Sequence, residues 1–361
     1  MSSVTTTVAD IYRYVVGVDT HAATHSYAIV AAPNGALIDQ ATFPTNTAGL
    51  RRAREWIGRR TGGDLDGVLV AAEGTGSYGA VLGDVLEAAG YRVVEAPTPR
   101  RERGRGKTDT LDAVLAARST LVVPVTLLRD RRAGEIQAAL QVLTVARDQL
   151  NADRLRCINA LTALVRGHDL GIDARRALTT QQISTIAAWR RRDETLAAAT
   201  ARAEAVRLAK RIVDLDGELT DNRVQITRIV TTQAPELLDL PGVGAITAAV
   251  ILTVWSHPGR IRSEAAFAQI AGTCPIPASS GNTIRHRLNR GGDRRLNRAF
   301  NTIVLTRMRT DPATRAYIDR RLAEGKTTKE IRRCLKRYTT RQIFRTLAAA
   351  HHDPEMITSA A

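Results

Sequence analysis

Residues 14–45 read YVVGVDTHAATHSYAIVAAPNGALIDQATFPT. β-Branched residues alternate along this stretch, and Pro33-Asn34-Gly35 is a turn signal between two such runs, so the segment reads as three short strands. A helix follows from about Thr47 to Arg60, with Leu50, Trp56 and Ile57 facing inward. Next comes GVLVAAE (67–73), a continuous apolar run that marks a central strand covered on both faces. A helix over 80–89, a strand over 91–96 and a helix over 109–121 complete the series.

The order strand-strand-strand-helix-strand-helix-strand-helix is that of an RNase H-like core, and it predicts an α/β mixed-sheet domain over 12–128. From about residue 132 the pattern changes to Ala, Leu and Arg with few Gly or Pro. Apolar residues at 136, 140, 143, 150, 157, 161 and 164 repeat at three and four spacing, with Arg147 and Arg154 interrupting the seam. A long helix is expected there, broken near 167–173 and resumed from about Thr180 to Thr232, which makes 129–236 an antiparallel, coiled-coil-like helical arm. A mostly helical third domain, 237–350, opens on LPGVGAITAAVI (240–251), where Gly242 and Gly244 between apolar helical segments suggest a helix-hairpin-helix whose backbone N–H groups could meet a phosphate. The tail, 351–361, is expected to fray.

Composition narrows the function. The 361 residues are 44% hydrophobic and 24% charged, as in a folded soluble protein, and the least polar run, Val243–Trp255, is too short to cross a bilayer. The N-terminus lacks a basic and apolar leader, and three widely spaced cysteines (157, 274, 334) match no zinc or disulfide pattern; both point to the cytoplasm, with no membrane partner. The net charge is +16, but it is not spread evenly. Residues 1–128 are neutral overall, 129–240 carry +3 and 241–361 carry +13. A one-ended basic excess is an electrostatic footprint for a polyanion, most often nucleic acid.

Four acids fall where an RNase H-like core collects them: Asp19 at the end of the first strand, Glu73 at the end of the covered strand, and Asp109 and Asp112 opening the last helix. A spacing of three puts the latter two on one helical face. Phosphodiester cleavage uses divalent cations held by carboxylates, which suit Mg²⁺ or Mn²⁺. A rival pattern overlaps, since Gly74, Gly76 and Gly79 match G-x-G-x-x-G with Glu95 downstream. Against a dinucleotide stands Glu73, which would repel a pyrophosphate, and the hairpin-rich strands before it. His21 and His25 read as exposed strand residues, because a zinc site needs more ligands than this stretch offers. In the basic third, GTCPIPASSGN (272–282) is an irregular loop followed by Arg285, Arg287, Arg290, Arg294, Arg295 and Arg298. Clustered guanidinium groups would neutralise a phosphate attacked by a loop serine.

Taken together, GVD, AAEGTGSYG, KTDTLDA, LPGVGAITA and GTCPIPASSGN followed by LNRGGDRRLNRA resemble, in order and spacing over about residues 14–348, the transposases or recombinases of the insertion-sequence one-ten family. That family pairs a DEDD domain similar to the Holliday-junction resolvase RuvC with a serine-bearing transposase domain. The resemblance implies that Asp19, Glu73, Asp109 and Asp112 bind Mg²⁺ (or Mn²⁺) and that Ser280, or its neighbour Ser279, is the nucleophile. It further implies donor and target DNA and a structured bridge RNA as partners, and a homo-oligomer, dimer or tetramer. Lys107 in KTDTLDA, Gly242, Gly244 and the six arginines from Arg285 to Arg298 are the expected nucleic-acid contacts. The alternative is a Holliday-junction-type endonuclease that uses only the acids and water.

Overall fold

The computed structural model describes residues 5–97, 109–278 and 286–350. The chain forms two compact units, Met1–Ala133 with Trp255–Ile261, and Gly134–Val254 with Arg262–Ala361.

The first unit holds α1 (Val8–Ile11), β1 (Tyr14–Thr20), β2 (Thr24–Ala31), β3 (Ala36–Pro44), α2 (Thr47–Thr61), β4 (Val68–Ala72), α3 (Ala80–Glu87), β5 (Arg92–Glu95) and α4 (Asp109–Leu121). The sheet order is β3-β2-β1-β4-β5; β1 pairs antiparallel with β2 and parallel with β4, and β4 parallel with β5. This mixed sheet fits an RNase H-like domain. The two central strands are buried along nearly their whole length, whereas the edge strand β3 shows a mixture of exposed and half-buried positions. Alternation along β1 sorts its side chains between two layers. Val16 and Val18 pack with Leu50, Trp56 and Ile57 of α2 and Leu82 and Leu86 of α3. On the other face Val15, Leu69 and Val94 meet Ala117 and Leu121 of α4.

Gly17 sets how closely α4 lies on that second face. A Cβ there would stand 2.0 Å from the Ala113 carbonyl oxygen and 2.5 Å from the Ala117 amide nitrogen. Only a residue without a side chain allows this approach, and small residues on α4 (Ala113, Ala116, Ala117) complete it.

The second unit begins with α5 (Glu135–Gly167), α6 (Thr180–Ala187) and α7 (Leu196–Gln233). α5 and α7 run antiparallel. Polar groups pair across them: Asn222 Nδ2 donates to the Leu143 carbonyl at 2.9 Å, Arg147 to the Leu219 carbonyl at 3.0 Å, and Arg154 to Asp216 at 2.5 Å. The two arginines that interrupt the apolar seam in sequence are thus cross-links between the helices. The expected continuous helix from Thr180 to Thr232 is in fact two. Between them Glu194 turns back onto Arg202 at 2.7 and 2.5 Å, Arg202 stacks over Trp189 at 4.6 Å, and Thr195 caps α7 by accepting from the Ala198 amide. The run Arg190–Asp193 offers no apolar side chain to continue the seam.

The remaining helices are α8 (Pro235–Leu238), α9 (Ala245–Trp255), α10 (Glu264–Ile270), α11 (Arg294–Thr310), α12 (Pro312–Ala323) and α13 (Thr328–Ala350), with a two-residue pair β6 (Ile276–Pro277) and β7 (His286–Arg287). Phe267 joins α10 to Phe300 of α11 and Phe344 of α13, at ring-centroid distances of 5.9 and 6.2 Å. Glu264 accepts from Arg337 and Arg341 at 2.9 and 2.7 Å. The three cysteines are free and partly buried. Among the described residues no helix is long and apolar enough to cross a membrane. The tail expected to fray lies outside the described residues.

Gly17→Ala should destabilise the first unit by about 3 kcal/mol, the upper part of the range for overpacking, because both clashing atoms belong to helix backbone. Denaturant unfolding followed by circular dichroism would measure this; an unchanged midpoint would show that α4 does not depend on Gly17.

Candidate functional site

Gly17 and Asp19 lie on one face of β1, two residues apart. On α4, Asp109 precedes Ala113 by four residues and so lies one turn further along the stripe that touches Gly17. The helix therefore carries Asp109 to the end of the strand where Asp19 stands. His21, two residues beyond Asp19, follows on the same face. His21 Nε2 is 3.0 Å from Asp19 Oδ2 and 3.5 Å from Asp109 Oδ1. Donor atoms of these three residues all lie within 4.8 Å of one another. Asp19 is buried, with its side chain 9% exposed, while His21 and Asp109 are about half exposed, at 46% and 56%. One side of the cluster is thus walled and the other open.

Glu73 is held beside Asp19 through its backbone. Its amide donates to the Val18 carbonyl at 2.9 Å, extending the parallel pairing of β1 with β4, and its carbonyl accepts from Thr20 Oγ1 at 3.0 Å. The chain turns away at Gly74, whose φ of +58° favours glycine and where a Cβ would press on Thr20 Oγ1 at 2.8 Å. Asp112 is half-buried one turn into α4. Among the described residues the gathered donor set is Asp19, His21 and Asp109; the carboxylates of Glu73 and Asp112 are not part of it. The set fits a divalent cation. Neighbouring ligands of an octahedral ion with bonds of about 2.1 Å are about 3 Å apart, close to the separations found.

His21 is exposed as expected, but it also faces the acids, as the D-x-H spacing allows by putting both side chains on one face. His25 is buried, not exposed, and packs edge-on to Tyr27 at 6.4 Å. The dinucleotide pattern is not used as one: three of the five strands form an antiparallel meander, and Glu95 is paired with Arg260 at 3.0 Å.

A family model described as a transposase of the DEDD, IS110 type matches residues 16–168, and one described as "Transposase IS116/IS110/IS902 family" matches 234–319. The chain is 31% identical over 298 residues to the IS900 insertion element uncharacterized 42 kDa protein of Mycobacterium paratuberculosis, spanning 68% of this chain and 74% of that one. It is 27% identical over 310 residues to the IS110 insertion element uncharacterized 43.6 kDa protein of Streptomyces coelicolor, spanning 72% and 76%. The chain belongs to the IS110 family of transposases. Membership makes it an enzyme of DNA transposition with DNA as substrate, and its DEDD domain is of a kind suited to divalent metal.

Apart from Lys107, the expected nucleic-acid residues of the transposase fall in the second unit. Lys107, Ser279, Ser280 and Arg285 lie outside the described residues. Arg287 on β7, Arg290, and Arg294 and Arg298 on α11 are exposed. Arg295 is engaged instead, with Asp148 at 2.6 Å and Thr144 at 3.3 Å, and ties α11 to α5. Gly242 has φ +74° and packs against α11, where a Cβ would stand 2.9 Å from the Ile303 carbonyl. The Gly244 amide donates to Thr247 Oγ1 at 3.0 Å. The glycine turn borders an open groove of about 1000 Å³ also lined by Arg223, Arg228 and Thr302. Sequence reading missed Arg223 and Arg228, because only packing of α7 beside the turn brings them there.

Burial lowers the pKa of His25, and of His257, below the ordinary 6.5. The folded protein then binds fewer protons than the unfolded chain once pH falls below about 6.5, so stability is full above that pH and declines as pH drops. Each histidine contributes a slope no steeper than about 1.4 kcal/mol per pH unit. Denaturant midpoints at pH 7.5 and 5.5 should fall for the native sequence and fall less for His25→Gln; equal losses would mean His25 charges freely in the fold.

Proposed function

We propose that this transposase cuts and exchanges DNA strands under the guidance of a structured bridge RNA, using Asp19, Glu73, Asp109 and Asp112 together with a serine nucleophile, Ser280 or its neighbour Ser279. The observation that carries the reading is the meeting of Asp19 and Asp109 at the end of β1, one wall buried and one side open. Bound there, Mg²⁺ or Mn²⁺ supplies neutralisation of phosphoryl oxygens. The carboxylates orient the phosphate; Ser280 Oγ forms a bond to phosphorus, one P–O ester bond to deoxyribose breaks, and the serine proton passes to the departing oxygen. Because the phosphoester is kept, rejoining needs no outside energy source. The exposed Arg287, Arg290, Arg294 and Arg298, with Arg285 and Lys107, hold the polyanion, and the groove at Gly242 and Gly244 adds Arg223 and Arg228 to that surface.

In this reading 12–128 acts as the RNase H-like nuclease, 129–236 as a coiled-coil arm and 237–350 as the serine transposase domain with a helix-hairpin-helix-like start. The transposase works in the cytoplasm as a dimer or tetramer on donor and target DNA. The second reading, a Holliday-junction-type endonuclease using the acids and water alone, draws on the fact that Asp19, His21 and Asp109 all belong to the first unit.

Asp19→Ala or Glu73→Ala should abolish cutting of DNA while leaving nucleic-acid affinity within a few-fold, because affinity rests on arginines elsewhere. Retained cutting in both variants would remove the acids from the chemistry. The two readings separate on a denaturing gel: a serine attack leaves protein joined to one DNA end, and Ser280→Ala should erase that adduct while Ser279→Ala keeps it. The reverse pattern would move the nucleophile by one residue, and cutting without an adduct in any variant would favour the endonuclease. Affinity for DNA or RNA should also fall steeply with salt and reside in 241–361, where the net charge is +13; binding that is insensitive to salt would refute the electrostatic argument.

A further inference from the structure

The gathered donor set is not purely acidic. Its central member is an imidazole: His21 Nε2 stands 3.0 Å from Asp19 Oδ2 and 3.5 Å from Asp109 Oδ1, bridging two carboxylates that come from a strand end and a helix start 90 residues apart in sequence. Strand alternation gives this arrangement its cause. Residues 17, 19 and 21 share one face of β1 and its continuation; the first makes room for α4, the second and third meet the acid that α4 delivers. The backbone fixes His21 as well, since its amide donates to the Thr24 carbonyl at 3.2 Å and closes the turn into β2.

We propose that His21 is a nitrogen ligand of the divalent cation held by Asp19 and Asp109, so that this centre prefers Mn²⁺ to Mg²⁺. The inference rests on the metal reading of the preceding subsection and adds a donor to it. Magnesium is a hard ion that takes oxygen ligands and keeps its waters, whereas imidazole suits first-row transition ions. An oxygen-only site discriminates weakly between Mg²⁺ and Mn²⁺; one imidazole among the carboxylates tilts it. The half-exposed position of His21 and Asp109 leaves room on the open side for water and a phosphate oxygen. A structural role for the same side chain would be different in kind: the protonated ring would simply bridge two carboxylates as an ion pair, and Nε2 would have no lone pair to give.

Pulsed electron paramagnetic resonance on the full chain loaded with Mn²⁺ tells these apart without any turnover. The expected result is a ¹⁴N coupling to the bound ion, lost in His21→Asn and absent from free Mn²⁺. Direct titration should show Mn²⁺ affinity falling about tenfold or more in that variant, with Mg²⁺ affinity changed by less than about threefold. His21→Gln, with circular dichroism melting on both variants, guards against loss of fold. Bound Mn²⁺ with no nitrogen coupling overturns the proposal while leaving the acidic site intact, and a coupling that survives in both variants overturns it too. Failure of the native chain to bind Mn²⁺ at all overturns the metal reading of Asp19 and Asp109, and this inference with it.

Discussion

A helix can lie this close to a strand only where the strand has no side chain, and Gly17 is that place. The contact of Ala113 and Ala117 with the bare backbone at Gly17 fixes the height, rotation and axial position of α4 on the sheet at once. The meeting of Asp109 with Asp19 follows from it. Asp19 is placed by strand period alone, but Asp109 reaches it only because the helix is seated one turn back. A Cβ at position 17 would press on the backbone of α4 and shift Asp109 relative to Asp19. The site is therefore a consequence of packing made two residues away from it, and its precision is that of a close-packed interior, not of a surface loop.

The electrostatics of the two units divide along similar lines. In the first, charge is used locally: Arg131 is buried against Asp84 and Glu87, Arg260 meets Glu95, and the acids at the end of β1 face one another across an imidazole. In the second, arginines outnumber acids and many remain at the surface of α11 and β7. A unit built to concentrate negative charge at one point and a unit built to spread positive charge over a surface suit the two things a transposase does with DNA: reacting at one phosphate and holding many.

Much of the first unit was legible in the sequence, because its signals are periodic. Alternation in 14–45 gives the meander, the continuous run 67–73 gives the covered strand, and of the four acids Asp19 and Asp109 meet at element ends while Glu73 and Asp112 stand outside the gathered set. His21 is exposed as read, but its place beside the acids went unseen because its spacing from Asp19 was weighed as a ligand count instead of a strand period; His25 was misplaced because nothing local distinguishes a buried from an exposed position at the start of a strand. In the helical unit the seam of α5 was visible and the polar run Arg190–Asp193 hinted at a break before α7, but the fold-back of Glu194 onto Arg202 that shapes it is a contact formed only in three dimensions. Arg223 and Arg228 are a similar case: they lie 19 and 14 positions before Gly242 in the turn they border, and no pattern in the sequence links them to it.

The polar cross-links between α5 and α7 have a meaning for how such proteins can change. An apolar seam alone tolerates sliding, since one leucine packs much like the next. Asn222 on the Leu143 carbonyl, Arg147 on the Leu219 carbonyl and Arg154 on Asp216 are keys that fit only one alignment. Residues inserted in one helix between two keys would pull at least one of them out of its lock unless the partner helix gained the same length. The helix pair is thus a ruler whose two edges must be lengthened together, and relatives with a longer or shorter arm should differ by matched insertions on both sides.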